Sequence, residues 1–277
     1  MRLILQLAAI VAISFLGGVA TQAVQGNPIL TFLAGIVSAA LALLVYRWVV
    51  RRTERRIVTE AGAKGAFSGL GIGVVIGIAL FGAVIGNIAL LGAYRLEGMG
   101  SGSGLIGLLG FMAAAAVTEE LLYRGVLFRI IEERTGTWIA MTITAIVFGG
   151  SHLLNPHATL WGAIAIAIEA GVLLVAAYVA TRKLWLPIGI HFGWNIAASG
   201  IFSTTVSGAD TPQGLLEATL SGPELITGGA FGPEGSIYSV GLCLIASVVL
   251  FWVAKRRGHI VPLRRRARAT TEVLASA

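Results

Sequence analysis

Long apolar runs, separated by short polar stretches, follow one another along the whole chain. Each run is near the length of about 20 residues that a helix needs to cross a hydrocarbon layer of ~30 Å. Helices are predicted because unpaired backbone amides are costly in lipid and no run shows the ten-residue alternation of a membrane barrel. The sequence thus predicts an all-α, polytopic membrane helix bundle of about eight transmembrane helices. The runs cover residues 3–24, 29–50, 66–94, 104–131, 137–154, 158–181, 185–206 and 236–254.

The composition leaves little room for a water-soluble domain. Of the 277 residues, 56% are hydrophobic and only 12% are charged, whereas an ordinary soluble domain carries about 25% charged residues. We therefore divide the chain at its hydrophilic linkers. Residues 1–60 hold two N-terminal transmembrane helices and a basic inner linker, residues 61–257 form the main membrane domain, and the basic tail at 258–277 is predicted to be disordered.

Three local patterns refine this outline. The third run repeats small residues at four-residue intervals, a spacing that suits close contact between membrane helices. The stretch YRLEGMGSGSG, residues 94–104, is predicted to be a flexible, exposed loop. The stretch PQGLLEATL, residues 212–220, is predicted to form a short interfacial helix within the long loop at 207–235.

Positive charge is distributed unevenly between the two sides that the runs define. If the N-terminus lies inside, every Lys and Arg except Arg95 falls on the inner face, while the loop at 207–235 carries acidic residues and no basic one. The positive-inside rule therefore places both termini on the cytoplasmic side of a multi-pass protein of the cell membrane. The basic clusters at 51–56 and 255–268 are expected to lie against anionic lipid headgroups, so nucleic acid is not predicted as a partner.

Cys243 is the only cysteine of the chain, which excludes an intrachain disulfide and a thiolate metal cluster. The first run also resembles a signal peptide, because Thr21-Gln22-Ala23 weakly matches a small-residue cleavage site. Cleavage after Ala23 would leave seven helices in the same orientation.

Two acids and an arginine interrupt the fourth run, at Glu119, Glu120 and Arg124. A charge near the centre of a bilayer costs roughly 2.5–3.5 kcal/mol on the insertion scale, so each needs a partner or a function. On a helix Glu120 and Arg124 share a face in the order that favours an ion pair, whereas Glu119 lies about 140° away from Arg124. Glu120 is therefore predicted to be structural and Glu119 to be available for chemistry. The alternative is that both acids only lock helices together.

The remaining titratable and amide side chains of the apolar runs are few. His152 follows Phe148 by one helical turn in the fifth run, and His191 and Asn195 share a helix face in the seventh. Two neutral donors that converge on one point suit an oxyanion site, although they could instead form hydrogen bonds between helices. Glu169, in the sixth run, is predicted to support the site through a hydrogen bond to one of the histidines, or to pair as a protonated acid with a neighbouring helix.

Together these groups suit the hydrolysis of a peptide bond by water. Glu119 is the candidate base, and His152 would orient or share the same water. His191 and Asn195 would stabilise the tetrahedral oxyanion. Ser151 is a less favoured candidate, as a nucleophile.

A metal ion is the alternative form of the same site. Glu119, His152 and His191 would supply one oxygen and two nitrogens to one divalent ion, zinc above all, with an open position for water. We prefer catalysis without a metal or other cofactor, because the amide of Asn195 is a poor zinc ligand and a good oxyanion donor.

Three motifs follow one another on the predicted helices: Glu-Glu-x-x-x-Arg at 119–124, Phe-x-x-x-His at 148–152 and His-x-x-x-Asn at 191–195. In this order and in these apolar settings they resemble the CPBP family, the CAAX prenyl proteases and bacteriocin-processing enzymes, also called Abi or Rce1-like intramembrane proteases. The stretch KLWLPIGIHFGWN is similar to the family's approach to its last motif. The resemblance covers about residues 105–200.

The resemblance implies a role for each motif residue. The first glutamate and the histidine of the second motif would activate water, and these are Glu119 and His152. The histidine and asparagine of the last motif, His191 and Asn195, would hold the oxyanion. The resemblance also implies that residues 61–257 form the catalytic domain and that the substrate is a protein or peptide, prenylated in CAAX-type members. The family has been described both as metalloproteases and as metal-free glutamate enzymes, and the sequence leaves both open.

We therefore expect an intramembrane endopeptidase for CAAX-type or leader-peptide processing, with a site that opens to the inner face. The alternative is a non-catalytic membrane adaptor or bacteriocin-immunity protein that binds a peptide in the same pocket. A transporter with a proton-linked Glu119 or Glu169 is less favoured, because the sequence shows no pair of matching halves.

Overall fold

The computed structural model describes residues 1–100, 102–210 and 214–263 of the chain. Most of the tail predicted at 258–277 therefore lies outside the described residues. Long helices and two short strands make up most of the described chain. The helices are α1 (Arg2–Ala23), α2 (Pro28–Glu54), α3 (Ala66–Leu90), α4 (Gly104–Thr135), α5 (Thr137–Leu154), α6 (Leu160–Thr181), α7 (Trp185–Asn195) and α8 (Ile237–Arg256), and the strands are β1 (Tyr94–Met99) and β2 (Leu216–Leu220).

The helices confirm the predicted all-α membrane bundle. Within the described residues, seven of them, all except α7, are long and apolar enough to cross a membrane. α7 has 11 residues and continues as a six-residue π-helical turn, Ile196–Ile201, whose residues are mostly buried. The seventh predicted span, 185–206, is therefore a shorter internal helix, because the chain leaves the helix after Ile201 to build the following loop.

β1 and β2 pair as an antiparallel ribbon. The predictions of a flexible loop at 94–104 and an interfacial helix at 212–220 are wrong where the structure describes these stretches. The side chains of β2 alternate between half-buried and exposed positions, and a period of two is typical of a strand rather than of a helix. Residues 212 and 213 lie outside the described chain. Short helical turns at Glu224–Thr227, Gly229–Phe231 and Pro233–Gly235 then lead into α8.

One end of the bundle, here called the basic end, is tied together by ion pairs and hydrogen bonds of arginines. Arg2 lies 3.8 Å from Glu54 at the end of α2. Arg182, just after α6, lies 2.5 Å from Glu132 near the end of α4 and also donates to the main-chain carbonyl of His259. The first residues of the chain and the residues that follow α8 therefore lie at the same end of the bundle.

The opposite end, here called the ribbon end, carries β1, β2 and the loops at 155–158 and 202–210. The Tyr94 hydroxyl donates to the carbonyl of Phe202 at 3.2 Å, and the amide of His157 donates to the carbonyl of Gly208 at 2.9 Å. These bonds hold the loops that follow α5 and α7 beside the ribbon.

Glu60 anchors the linker between α2 and α3 at the basic end. It is almost fully buried, and it accepts hydrogen bonds from the Tyr46 hydroxyl at 2.7 Å and from Arg56 at 2.6 and 2.8 Å. Burial by itself raises the pKa of a carboxyl group, but these donors outweigh it and hold the pKa of Glu60 below its ordinary value. The carboxylate form therefore fits the folded linker.

α3 and α7 touch at backbone distance through glycines. A Cβ atom added at Gly77 would lie 2.3 Å from the carbonyl oxygen of Ile190 and 2.6 Å from the amide nitrogen of Trp194. Gly193 is equally close to the backbone of α3. The small residues of the third run thus form a close helix contact, as their spacing predicts, and this contact fixes the position of the helix that carries the third motif.

Replacing Gly77 tests this contact. Gly77→Ala is expected to destabilise the bundle by about 1–3 kcal/mol, because the added methyl group must separate two backbones that have no room for it. Thermal unfolding of the detergent-solubilised protein measures the loss. Gly82→Ala is the matched control, since a Cβ there meets no atom within 4 Å. Equal stability of the two variants would contradict the close contact.

Replacing Glu60 tests the buried carboxylate. Because its folded pKa lies below the ordinary value of 4.5, the charged group stabilises the folded protein above that pH and loses this effect as the pH falls through the folded pKa. Glu60→Gln is expected to lower stability at neutral pH by about 1–3 kcal/mol, and the difference should shrink in acid. Thermal unfolding over a pH series checks this, with the exposed Glu217→Gln as control; a pH-independent difference would refute the carboxylate's role.

Candidate active site

A buried ion pair joins Glu120 and Arg124 in α4, as their spacing predicts. Their side chains are 0% and 1% exposed, and Nη1 of the arginine lies 2.7 Å from Oε1 of the glutamate. Nη2 of Arg124 also donates to the main-chain carbonyls of Ala170 and Gly171 in α6, at 2.9 and 3.4 Å. The pair therefore cross-links α4 to α6 and neutralises two charges that lipid would not solvate.

Three helices become π-helical for a turn close to these residues. Such turns widen the helix, interrupt its usual i to i−4 hydrogen bonds and are frequent at functional sites. The first turn begins directly after Glu120, the second supplies the carbonyls that Arg124 binds, and the third begins directly after Asn195. They are Leu121–Phe128 in α4, Ala167–Val172 in α6 and Ile196–Ile201 after α7.

His191 lies between the two acids of the first motif. Its Nδ1 is 3.1 Å from Oε1 of Glu120, and its Nε2 is 3.9 Å from Oε2 of Glu119. The ring can donate from both nitrogens only as an imidazolium. Glu119 is the more accessible acid, because its side chain is 33% exposed, and its Oε2 has no hydrogen-bond partner among the described residues. The two acids thus differ in surroundings, as helix geometry predicts.

Phe148 packs against both histidines. Its ring centroid is 4.8 Å from that of His152 and 6.4 Å from that of His191. The guanidinium carbon of Arg124 lies 4.7 Å from the same ring centroid. The main-chain carbonyl of Phe148 is 2.7 Å from Nδ1 of His152, so Nε2 is the nitrogen available for chemistry. The phenylalanine of the second motif therefore positions side chains from all three motifs.

One cavity of about 380 Å³ brings the predicted catalytic residues together. Glu119, His152, His191 and Asn195 all contribute to its wall, although they come from α4, α5 and α7. Tyr123 and Ser151 line it too, and their hydroxyls are joined by a hydrogen bond of 2.8 Å. Acid, imidazoles and amide thus face a common space.

The cavity opens towards the ribbon end of the bundle. Its lining includes Asn155, Ser207 and Asp210 from the loops after α5 and α7, and no described residue of the basic-end loops contributes to it. We expected an opening on the basic, inner side. The structure places the opening at the ribbon end. His152 lies at the end of α5 on that side, and the loop after α7 folds against the loop that follows α5.

Glu169 lies behind this cavity, with its partners on α8. Its Oε2 accepts from the Ser239 hydroxyl at 3.1 Å and lies 3.5 Å from the Cys243 sulfur. The structure shows no hydrogen bond to a histidine, in contrast to the first of our two expectations for this residue. Oε1 of Glu169 has no partner among the described residues. The residue lines a small cavity of about 20 Å³ together with His152 and Asn195.

Glu234 is a part of the site that sequence reasoning missed. It lies in the loop before α8, yet it is 2% exposed and lines the same small cavity. Its Oε1 accepts from the indole of Trp194 at 2.8 Å, and its Oε2 accepts from the amide of Ser207. Burial raises the pKa of this carboxyl group, although these donors act in the opposite direction. The sequence gives no periodicity or motif that marks this loop as folding inwards.

The alternative metal site fits these side chains poorly. The bond from Nδ1 of His191 to Glu120 resembles the carboxylate contact found behind metal-bound histidines. Within the described chain, however, no three His, Cys, Asp or Glu side chains are arranged to hold a metal ion. Glu119 and His191 approach each other, but His152 is not gathered with them into such a set.

Comparisons with known proteins point to the same part of the chain. Residues 101–197, which contain all three motifs, match the family described as "Type II CAAX prenyl endopeptidase Rce1-like". Over 115 residues the chain is 25% identical to the "Putative membrane peptidase YdiL" of Bacillus subtilis (strain 168). That alignment covers 42% of this chain and 42% of the relative, so the chain spans less than half of the relative's length. No solved structure matches the chain.

The family match and the structure agree on where the site lies. The matched residues run from α4 into the π-helical turn after α7, and they supply every motif side chain that faces the cavity. The membrane helices and the weaker similarity to a membrane peptidase fit the same family. Over residues 101–197 this chain is therefore similar to the Rce1-like CAAX prenyl endopeptidases.

Proposed function

We propose that this protein is an intramembrane endopeptidase that hydrolyses a peptide bond of a protein or peptide substrate. The observation that carries the proposal is the shared cavity, in which Glu119, His152, His191 and Asn195 meet although they lie on three helices. Arg124 pairs with Glu120 of the first motif, whereas Glu119 lines the cavity and has one oxygen without a hydrogen-bond partner among the described residues. This is the division of roles that water activation needs.

Glu119 acts as the general base. Its unpartnered Oε2 accepts a proton from a water molecule in the cavity while the water oxygen attacks the carbonyl carbon of the substrate. The same carboxyl group then returns the proton to the amine that leaves as the carbon–nitrogen bond breaks. His152, whose ring is held by the Phe148 carbonyl, orients the water through Nε2.

His191 and Asn195 stabilise the oxyanion that forms on the substrate carbonyl. The hydrogen bond from Nδ1 of His191 to Glu120 fixes the ring, so Nε2 donates to the oxyanion when the ring is protonated. The Asn195 amide provides a second donor one turn further along the same helix. Such preorganised donors contribute strongly to the rate once a bound substrate excludes bulk water from them.

No metal or other cofactor is part of this proposal, because the Asn195 amide that lines the same cavity is a poor zinc ligand and a good oxyanion donor. In this proposal the protein lies in the cell membrane with both termini on the cytoplasmic side, and membrane lipids surround the bundle. CAAX-type processing of a prenylated protein and removal of a leader peptide are the two substrate classes that the family and the cavity suggest.

Glu119→Gln tests the general base. The variant is expected to lower kcat about 10²- to 10⁴-fold, because the amide cannot accept the proton, while KM changes little. Cleavage of a fluorogenic peptide by the purified protein measures both constants. Glu217→Gln, an exposed acid in β2, is the matched control. Equal cleavage by the Glu119 variant and the unmodified protein would refute the peptidase proposal and favour a peptide-binding adaptor.

Chelation tests the absence of a metal. Activity is expected to persist within about twofold after exhaustive treatment with a zinc chelator. A metal-dependent enzyme would instead lose its activity, because removing the metal would remove the Lewis acid and its activated water. Elemental analysis of the same sample shows whether any metal remains. Loss of cleavage that added zinc restores would replace the proposed mechanism by the metal-dependent one.

A further inference from the structure

The catalytic cavity lies in the half of the bundle that faces the ribbon end. From α4 it takes Phe111 and Met112, which precede Glu119 along the helix, and from the following loops it takes Ser207 and Asp210. Ser207 is held there by the Glu234 carboxylate. The route from solvent to Glu119 therefore runs between the start of α4 and the loop after α7.

A groove on the surface of the bundle leads into this route. It has a volume of about 520 Å³ and runs along the turn between α1 and α2, with Thr21 and Gln25 on one wall and Gly107 on the other. The groove and the catalytic cavity share Phe111 and Asp210 as lining residues, so the two spaces adjoin. The groove therefore continues the catalytic cavity along the ribbon-end half of the bundle.

Most of the described lysines and arginines lie at the other end. Arg2, Arg56 and Arg182 are held by acids of the basic end, and Arg51 and Arg52 are exposed there. At the ribbon end the described strands and loops carry a single basic residue of the Lys and Arg type, Arg95. The positive-inside rule assigns the basic end to the cytoplasm. The mouth of the cavity then lies on the opposite side of the membrane.

We infer that the substrate reaches the active site from the non-cytoplasmic side, through the groove between the α1–α2 turn and α4, and that it is an extended segment of an exported or membrane-inserted protein. This inference rests on the proposed peptidase function and narrows its substrate class. Leader-peptide processing during or after export fits such a site. A prenylated C-terminus in the cytosol would face the basic end of the bundle, whose described loop residues do not line the catalytic cavity.

The orientation is tested by labelling single cysteines in cells that make the full chain. Asp210→Cys places a thiol at the mouth, where the native side chain is 80% exposed, and Arg51→Cys places one at the basic end as the matched control. Native Cys243 is fully buried and serves as the unreactive background. A membrane-impermeant maleimide is expected to label Asp210→Cys at least about tenfold more in intact spheroplasts, with Arg51→Cys labelled only after lysis, since the bilayer excludes the charged reagent. Equal or reversed labelling would overturn the inference.

Cleavage from one side tests the route itself. A charged, impermeant fluorogenic peptide is expected to be cut by right-side-out vesicles and not by inside-out vesicles until detergent is added. A bulky maleimide on Asp210→Cys should reduce cleavage at least tenfold, whereas the same adduct on Arg51→Cys should leave it unchanged. Full activity of the labelled Asp210 variant would exclude this route. If detergent-treated vesicles show no Glu119-dependent cleavage, the peptidase proposal fails, whereas the labelling pattern still decides which side the mouth faces.

Discussion

The Glu120–Arg124 ion pair is the interaction on which the rest of the site depends. Both side chains are buried, and a buried charge that loses its partner costs about 3–5 kcal/mol, so neither can be removed without moving its neighbours. The arginine holds the π-helical turn of α6 through main-chain carbonyls, and the glutamate holds the His191 ring. One pair thus fixes three helices around the cavity and leaves Glu119 as the acid that faces it.

Phe148 completes this arrangement from the apolar side. Its ring touches both histidines and the guanidinium group, and its carbonyl sets the orientation of His152. Since protein interiors are close-packed, a side chain of this size in the centre of the site determines the positions of its neighbours. The four-residue spacing of the second motif therefore places a packing residue, Phe148, one helical turn before the proposed catalytic residue, His152.

The ribbon end supplies the parts of the site that lie outside the motifs. The loop before α8 folds inwards and brings Glu234 to Trp194 and Ser207, which joins α7 to the wall of the cavity. The loop after α7 forms the mouth of the cavity with Asp210. Ion pairs tie the helices together at the basic end. The molecule is therefore asymmetric along the membrane normal in both charge and access, and these two asymmetries together suggest the direction of approach of a substrate.

The sequence by itself determined the helical membrane fold, because apolar length and the cost of unpaired amides leave no other solution. It also predicted the Glu120–Arg124 pair and a close helix contact through the small residues of α3, since both follow from helix periodicity. The structure identified α7 as the partner in that contact. The three motifs predicted which residues line one cavity. Only the tertiary structure decided the π-helical turns, the ribbon, the inward position of Glu234 and the end at which the cavity opens. These features arise from contacts between segments far apart in the chain, and local spacing carries no information about them.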